Sequence, residues 1–288
     1  MNEGLLNADT EILYRSDSYT ITDYHCKSLA GEKSGVEYQS DFCLSFTRRG
    51  NFIYHVFRNT LDAHSGRILL SKPGHEHAVS HVYHVPDQCT CIAFTQEFYE
   101  SVKDRYGNLA NKFFKNNDIS SALVKSDAGL DYLHNKIFYS PKGKRYISLL
   151  VDSLVHEIVD LTLAKMANED SVKIVPASLK KYHLETVERA KDYITENYIR
   201  DLTITEIASN VYVSPFHFSR IFKMFTSYSP HRYLIDTRLK NAENLIKNSD
   251  LPITEICFSS GFDSLEYFST AFRNKYRLSP SQFRARNS

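Results

Sequence analysis

Long apolar runs, a cysteine framework and a strong charge of either sign are all missing from this chain. With no uninterrupted apolar stretch of about 18 residues, it has no segment able to cross a bilayer as a helix, and no membrane partner is expected. The opening MNEGLLNADTE is acidic and polar, which is not the pattern of a secretory leader. Five cysteines, an odd number without regular spacing, read as reduced thiols and point to the cytoplasm. The net charge of +1 bounds the partner only loosely, but it is unevenly spread. From Lys180 to Ser288 there are 16 Lys and Arg against 12 Asp and Glu, a net of +4, which leaves −3 on residues 1–179. That asymmetry favours a nucleic-acid face at the C-terminal end. What is present suffices for two domains: 288 residues, 42% of them hydrophobic, give each half a core.

The C-terminal third holds one small unit twice. The first copy reads Ile204-Thr205-Glu206-Ile207-Ala208 and then SPFHFSRIF over 214–222. The second reads Ile253-Thr254-Glu255-Ile256-Cys257 and then SLEYFSTAF over 264–272. The offset is 49 at Ile207/Ile256 and 50 at Phe218/Phe268, Ser219/Ser269 and Phe222/Phe272. It stays 50 through Ser229-Pro230/Ser279-Pro280 and Tyr233/Phe283, so one inserted residue separates the halves. Each copy predicts two short helices about a tight turn. Ile204, Ile207 and Ala208 share one helical face. In the following stretch Phe218, Ile221 and Phe222 point inward, and Phe216, His217, Ser219, Arg220 and Lys223 point outward. Thr203 and Ser214 suit the N-cap positions of the first copy, and Asp263 or Ser264 suits that of the second helix in the other. Gly261 supplies a turn in the second copy where the first has Tyr212, an uncomfortable residue if positive φ is required. A plain helical bundle would explain the repeated phenylalanines as core, but not a duplicated outward face. Such a face suits an object that is itself periodic, and duplex DNA offers major-groove segments about 34 Å apart. Between the copies, His231 to Asn248 carries Leu234, Leu239, Ala242, Leu245 and Ile246, which predicts a helical spacer of about 27 Å.

Residues of roughly 183–286 resemble the DNA-binding domain of the AraC/XylS family of bacterial transcription regulators. The resemblance rests on S-x-x-x-F-S-R-x-F-K in the first unit and G-F-x-x-x-x-x-F-S-x-x-F-R in the second. The connecting RLKNAENLIKNSDLPITEI and the closing SPSQFR complete it. It implies a double helix-turn-helix whose recognition helices enter consecutive major grooves of double-stranded DNA. Phe216, His217, Ser219, Arg220 and Lys223 would face one groove, and Ser264, Glu266, Ser269, Thr270 and Arg273 the next. It further implies an activator that answers a small-molecule effector, works as a homodimer and meets RNA polymerase. The chain departs from the family pattern at Thr270, where Arg is frequent, and at Ser227 and Arg277, where Gly often precedes the Ser-Pro.

The front half predicts strands near 18–27, 42–47, 51–57, 67–71, 77–82 and 90–95, with a turn at Arg49-Gly50-Asn51. Short strands separated by turns suggest a small barrel or jelly roll. Two spacings resemble a cupin domain: Gly31-x5-Glu37-x-Gln39-x3-Cys43-x6-Gly50 and Gly66-x7-Gly74-x2-His77-x3-His81. The expected fold is therefore α+β in two domains. A cupin-like β-barrel with helices covers 1–167, a linker around Pro176 covers 168–182, and an all-α double helix-turn-helix covers 183–288. Metal-binding cupins place two His and a Glu where this chain has Glu37, Gln39 and Cys43, leaving His77 of the usual four ligands. Glu37, Cys43 and His77 would supply three, but the expectation is a barrel without metal or cofactor, holding a small organic effector. That effector is expected to be apolar or mixed, held among Tyr38, Phe42, Phe46, Tyr54, His77 and His81. Alternation puts Phe42 and Phe46 on one face and Cys43 and Thr47 on the other, without saying which faces inward. His75, His77, His81, His84, Cys89 and Cys91 crowd together, as a metal or thiol sensor or as strand and loop residues whose buried cysteines act as small apolar groups.

The stretch 143–166 carries a stripe of Ile147, Leu150, Val151, Leu154, Ile158 and Leu161. It predicts a helix that packs on its own barrel or seams a homodimer. Two functions remain. One is a non-enzymatic, sequence-specific transcription regulator. The other is a cupin-type metal-dependent enzyme with a DNA-binding tail, disfavoured by the missing His pair and the lack of any other catalytic constellation.

Overall fold

In a computed structural model that describes residues 8–27, 33–57, 59–82, 86–107, 110–140, 145–168 and 175–287, the front of the chain forms ten strands. They are β1 (Ala8–Arg15), β2 (Tyr19–Cys26), β3 (Glu37–Gln39), β4 (Phe42–Arg49), β5 (Asn51–Val56), β6 (Asn59–His64), β7 (Arg67–Ser71), β8 (His75–His81), β9 (Gln88–Phe94) and β10 (Ser121–Lys125). The helices are α1 (Gln96–Tyr106), α2 (Asn111–Lys115), α3 (Ala128–Phe138), α4 (Arg145–Asn168), α5 (Ala177–Asn197), α6 (Ile204–Asn210), α7 (Pro215–Thr226), α8 (Pro230–Asn248), α9 (Ile253–Ser259), α10 (Leu265–Tyr276) and α11 (Pro280–Asn287). Two compact units result. One comprises Met1–Ser126 with Lys136–Glu188, the other Asp127–Asn135 with Arg189–Ser288. The class is α+β, as expected. The expected linker differs, because α5 already begins at Ala177 and Gly31, His84 and residues 169–174 lie outside the described residues.

In the first unit the strands form two antiparallel sheets, in the orders β1-β2-β9-β4-β7-β10 and β3-β8-β5-β6. They do not close into a barrel. Register sorts the side chains of the larger sheet into two faces, because residues directly opposite one another project to the same side. Phe42 stands opposite Phe94, Leu44 opposite Ile92 and Leu70, and Phe46 opposite Ile68. This face is covered by helices: Phe42 meets Tyr99 of α1 at 5.1 Å and Phe114 of α2 at 6.4 Å, and Phe94 stacks on Phe98 at 4.6 Å. On the other face Cys43 stands opposite Ser71, Ser45 opposite Cys91 and Leu69, and Tyr24 opposite Cys89. That face meets the smaller sheet, and Leu69, Leu123 and Cys89 share a core with Phe52, Tyr54 and Val79.

Helix α4 spends its apolar stripe inside this unit. Val151, Leu154, Val155, Ile158, Val159 and Leu163 are buried, Leu154 with only 2% of its surface exposed. A dimer seam through Leu154 is thereby corrected, since that side chain already has its partners. Of the apolar residues on α4 whose side chains are described, Leu149 and Leu150 are exposed; the side chain of Ile147 is outside the described residues.

In the second unit the two copies fold alike. Ser214 caps α7 by accepting the His217 N–H at 3.4 Å, and Ser264 caps α10 by accepting that of Tyr267 at 3.3 Å. Each helix stops at a left-handed residue, Ser227 at φ 66° and Arg277 at φ 63°. The tight turns also correspond: Val213 N–H donates to Ala208 O at 3.1 Å, and Phe262 N–H to Cys257 O at 3.2 Å. Within those turns Tyr212 sits at φ 58° and Gly261 at φ 84°, so the awkward conformation expected of Tyr212 is adopted. Phe218 and Phe222, with Phe268 and Phe272, fill the interior. The caps differ in one place. Thr203 accepts the Glu206 N–H at 3.0 Å at the head of α6, whereas Pro252 heads α9 without a side-chain cap.

Two stability tests follow from this packing. A Cβ on Gly261 would lie 2.7 Å from Tyr198 O and 2.9 Å from Ile199 Cα, so Gly261→Ala should cost about 1–3 kcal/mol. Tyr212 has the same backbone but is 84% exposed, so Tyr212→Gly should relieve strain and stabilise by up to about 1 kcal/mol. Hydrogen exchange of the amides in α6–α10 reads both changes locally, and equal signs for the two would contradict the shared-turn geometry. In the first unit, Leu154→Ala should lower stability by about 2–5 kcal/mol, the cost of a large-to-small change in a filled core. A urea midpoint unmoved by that change would restore Leu154 to the surface.

Candidate functional site

The repeated unit builds its outward face from helix geometry alone. Once Phe218, Ile221 and Phe222 are buried, the 3.6-residue period turns Phe216, Arg220 and Lys223 to solvent, with His217 and Ser219 half-buried. On α10 the same logic exposes Ser264, Glu266, Thr270 and Arg273 and leaves Ser269 half-buried. All ten residues expected to face DNA thus keep an accessible surface. Two of them have other duties. The Ser264 hydroxyl is the helix cap, and Ser219 Oγ donates to Pro215 O at 2.9 Å. Further exposed groups on these faces escaped the sequence reading: Tyr212, Met224, Leu265 and Tyr267. Tyr267 stands where the first copy has His217, a correspondence the 50-residue offset already contained.

The two faces are not chemically equal. The first offers Arg220 and Lys223 with a projecting Phe216, which is 83% exposed. The second has Thr270 for Arg220, Arg273 for Lys223 and Glu266 for Phe216. Guanidinium and ammonium groups suit guanine edges and phosphates, and an aromatic ring suits a thymine methyl. A glutamate suits a cytosine amino group and repels phosphate. The arrangement can therefore read different bases through two copies of one scaffold. Between the copies α8 holds nineteen residues, about 28 Å at 1.5 Å per residue.

The first unit divides the residues expected to hold an effector. Tyr54, His75 and His77 come together: Tyr54 Oη and His75 Nε2 are 3.0 Å apart, and the Tyr54 and His77 rings stack at 4.6 Å. Ser121 Oγ lies 3.2 Å from His75 Nε2 and donates to Ser71 Oγ at the same distance. Register brings Glu37 opposite His77 and Gln39 opposite His75, and Gln39 Nε2 donates to Cys43 Sγ at 3.1 Å. Phe42 and Phe46 are not part of this group, being buried under the helices on the far face of the sheet. Tyr38 projects to the outside and is 68% exposed. His81 lies on the same strand as His77 but faces Cys26 and Asp87 instead. Gln39 lay in the spacing that resembled a cupin and His75 in the histidine cluster, whereas Ser71 and Ser121 were missed as partners because serines in strands carry no distinctive spacing.

The interior thus presents mostly polar chemistry, with a buried Glu37 carboxylate oxygen beside neutral histidines, in place of the expected aromatic lining. Burial lowers His77 to about 4 and lowers His75 as well, so both rings are neutral at neutral pH. Burial pushes Tyr54 up to about 12, keeping its hydroxyl protonated. The Cys43 thiol is pushed well up by its hydrogen bond with Cys91 and by burial. Among the described residues no three His, Cys, Asp or Glu are arranged to hold a metal ion.

The His77 shift has a sign that can be measured. An unfolded histidine titrates near 6.5 and folded His77 near 4, so between those values the unfolded chain binds the extra proton. Stability is therefore lost as pH falls from about 6.5 toward 4. His77→Gln removes that dependence. Its loss of stability between about pH 7 and pH 5 should be smaller than wild type by about 1 kcal/mol, discounted for the ring's partial solvent contact. Parallel urea midpoints for the two proteins across that range would refute a depressed His77.

Comparison with known proteins agrees with this geometry. Residues 207–286 match the family model described as a helix-turn-helix domain. The HTH-type transcriptional regulator YijO of Escherichia coli is 31% identical over 150 residues, 52% of this chain and 49% of that protein. This chain thus spans about half the length of that relative. The Msm operon regulatory protein of Streptococcus mutans is 25% identical over 254 residues, 88% of this chain and 87% of the other. Among solved structures, the C-terminal domain of AraT, a response regulator from Geobacillus stearothermophilus, is 36% identical, over 35% of this chain and 84% of that one, with a TM-score of 0.34. Kinship is carried by the sequences and centres on residues 207–286, which carry the AraC-type helix-turn-helix domain of transcription regulators.

Proposed function

We propose that this protein is a sequence-specific DNA-binding transcription regulator whose two recognition helices, α7 and α10, enter consecutive major grooves of one duplex. The observation that carries this reading is the repetition, at α7 and α10, of a serine cap, a buried phenylalanine pair, an accessible polar face and a left-handed stop. A structural bundle needs the phenylalanines but not a second accessible face in register with the first. In this reading Arg220, Lys223 and Arg273 supply base or phosphate contacts, Phe216 an apolar one, and the half-buried His217, Ser219 and Ser269 the groove floor. Affinity then falls with salt in proportion to the phosphates neutralised.

The first unit is read as the effector-binding part, excisable over about 1–167, with 183–288 as the DNA-binding part. Its supporting observation is the uncharged polar group of Tyr54, Ser71, His75, His77 and Ser121 between the sheets. That chemistry suits a small neutral molecule bearing hydroxyl or carbonyl groups. Such a ligand shifts the regulator only by its differential affinity for two states of the protein. A homodimer along α4 would have to use Leu149 and Leu150, the apolar residues its own unit leaves exposed. A regulator of this kind acts in the cytoplasm, as an activator that meets RNA polymerase.

Arg220→Ala tests the core of the proposal. If the guanidinium bonds a guanine edge, the change should cost about 1–3 kcal/mol on the cognate site and relax preference at one base position. If it contacts phosphate, binding should weaken alike on all sequences with a shallower salt slope. Unchanged affinity on every duplex in a randomised selection would remove α7 from the interface and with it this reading.

A further inference from the structure

Where β2 ends, three side chains from three separate segments meet in a cluster that neither the DNA face nor the Tyr54 group uses. Cys26 Sγ lies against the His81 ring, 3.3 Å from Nε2 and 3.7 Å from Nδ1, and His81 Nδ1 lies 2.5 Å from Asp87 Oδ2. Cys26 is in no disulfide, and all three residues are buried, Cys26 at 8% exposure. Backbone pairing locks the ends together, because Cys26 N–H donates to Asp87 O at 2.9 Å. The β4–β5 turn is shaped around the carboxylate. Gly50 sits at φ 81°, and a Cβ there would come within 2.2 Å of Asp87 Oδ1. Behind the turn, Gly50 N–H donates to Glu188 Oε1 at 3.2 Å. A nucleophile, a base and an orienting carboxylate in hydrogen-bonding sequence is the arrangement by which proteins activate thiols.

We propose that Cys26, His81 and Asp87 form a reactive-thiol site at which Cys26 is oxidised by a small hydroperoxide. Asp87 holds His81 doubly protonated, with Nδ1–H on the carboxylate and the sulfur resting against the cationic ring, so that Cys26 rests as the thiolate. In agreement, His81 is raised to about 10, first by its hydrogen bond to Asp87 and then by that to Cys26. The thiolate attacks the terminal oxygen of the hydroperoxide. An S–O bond forms as the O–O bond breaks, and the sulfur gives up two electrons to become a sulfenic acid. The departing alkoxide or hydroxide takes the proton from His81 Nε2, leaving an alcohol or water and a neutral imidazole. The low exposure of Cys26 selects for size: hydrogen peroxide or a short alkyl hydroperoxide reaches the sulfur where a bulky reagent would not. His77, four residues earlier on the strand, lacks a carboxylate partner and is lowered to about 4. The activation therefore belongs to the Asp87 contact and not to the strand.

The test exposes the folded full-length protein to hydrogen peroxide for set times and then denatures it in dimedone to trap sulfenic acid, with each cysteine peptide quantified by mass spectrometry. Cys26 should be labelled first among the five cysteines, and Asp87→Asn and His81→Gln should each slow its labelling by about tenfold or more. Because both substitutions fall on buried residues that also serve the fold, the rate of Cys26 alkylation by iodoacetamide is also followed against pH in the unaltered protein. An ion-paired thiolate reacts at a rate nearly flat from about pH 6 to pH 8, whereas an ordinary thiol gains about tenfold per unit. Labelling of Cys26 no faster than that of Cys43, Cys89, Cys91 or Cys257 would overturn the proposal. So would an ordinary thiol's pH slope at Cys26.

Discussion

Helix α8 is buried around its whole circumference while carrying Asp236, Thr237, Arg238, Lys240, Asn241 and Glu243, and the spacing of the two reading faces depends on how those groups are satisfied. Thr237 bonds to Tyr233 O and Lys240 to Glu243 within the helix, whereas Asp236, Arg238, Asn241 and Glu243 reach groups outside it and so lock rotation as well as position. Arg238 donates from Nε to Tyr198 O and from Nη2 to Arg200 O, both at 2.7 Å, tying α8 to the end of α5. Lys275 of α10 donates to Asp236 O at 3.1 Å and lies 3.3 Å from its carboxylate. Glu243 is held by Lys240 at 2.8 Å, Lys247 at 2.7 Å and Tyr276 Oη at 2.9 Å. Asn241 accepts from Tyr132 Oη at 2.7 Å and donates to Ser260 Oγ at 3.1 Å. An apolar α8 would bury as well and could slide or rotate by a turn at small cost. Directional bonds cannot, since leaving one buried polar group unpaired costs about 1–3 kcal/mol. For a spacer that must phase two helices against a fixed repeat, that penalty is the useful property.

The duplication also shows what a reading module keeps and what it releases. Serine caps, the phenylalanine pairs and the left-handed stops recur in both copies, even where Ser227 and Arg277 must hold a backbone that glycine would adopt more easily. The outward positions have diverged, with Phe216 facing Glu266 and Arg220 facing Thr270 across the offset. The inward face of each helix has thus kept its phenylalanines while the outward face has changed, which is why the repeat was legible at all. Buried phenylalanines preserved the register by which the diverged faces could be aligned.

The first unit was less legible, for reasons that particular segments make clear. Strands β2, β4, β5, β7, β8 and β9 were anticipated within a few residues because each is a short apolar or alternating run bounded by turn residues. Strand β1 was not, because its sequence ADTEILYR is largely exposed and pairs with β2 alone, so no buried face marked it. Strand β6 lay in what read as a gap, and β10 returns to β7 after two helices that carry no repeat. The inner face is the sharper lesson. Alternation separated Phe42 and Phe46 from Cys43 and Thr47, and hydrophobicity favoured the phenylalanines as pocket walls. They lie instead on the opposite face of the sheet, where Phe42 packs against Tyr99 of α1 and Phe114 of α2 and Phe46 is buried beside Ile68. The larger rings go where water is excluded more completely.

Histidines on β8 show how far local sequence can carry a functional argument before geometry must take over. His77 and His81 are four residues apart in the same strand and face the same side of their sheet. One is depressed to about 4 and the other raised to about 10. The difference lies outside the strand. His77 meets a tyrosine ring and another neutral imidazole, so burial acts unopposed and the charged form is disfavoured. His81 meets Asp87, brought to it by the backbone pairing of Cys26 with Asp87 and accommodated by the bare Cα of Gly50. A carboxylate at 2.5 Å outweighs the burial that it shares. The spacing His-x3-His therefore says nothing about charge by itself. Charge is decided by a glycine some thirty residues upstream and an aspartate six residues downstream, which meet His81 only when both sheets have formed.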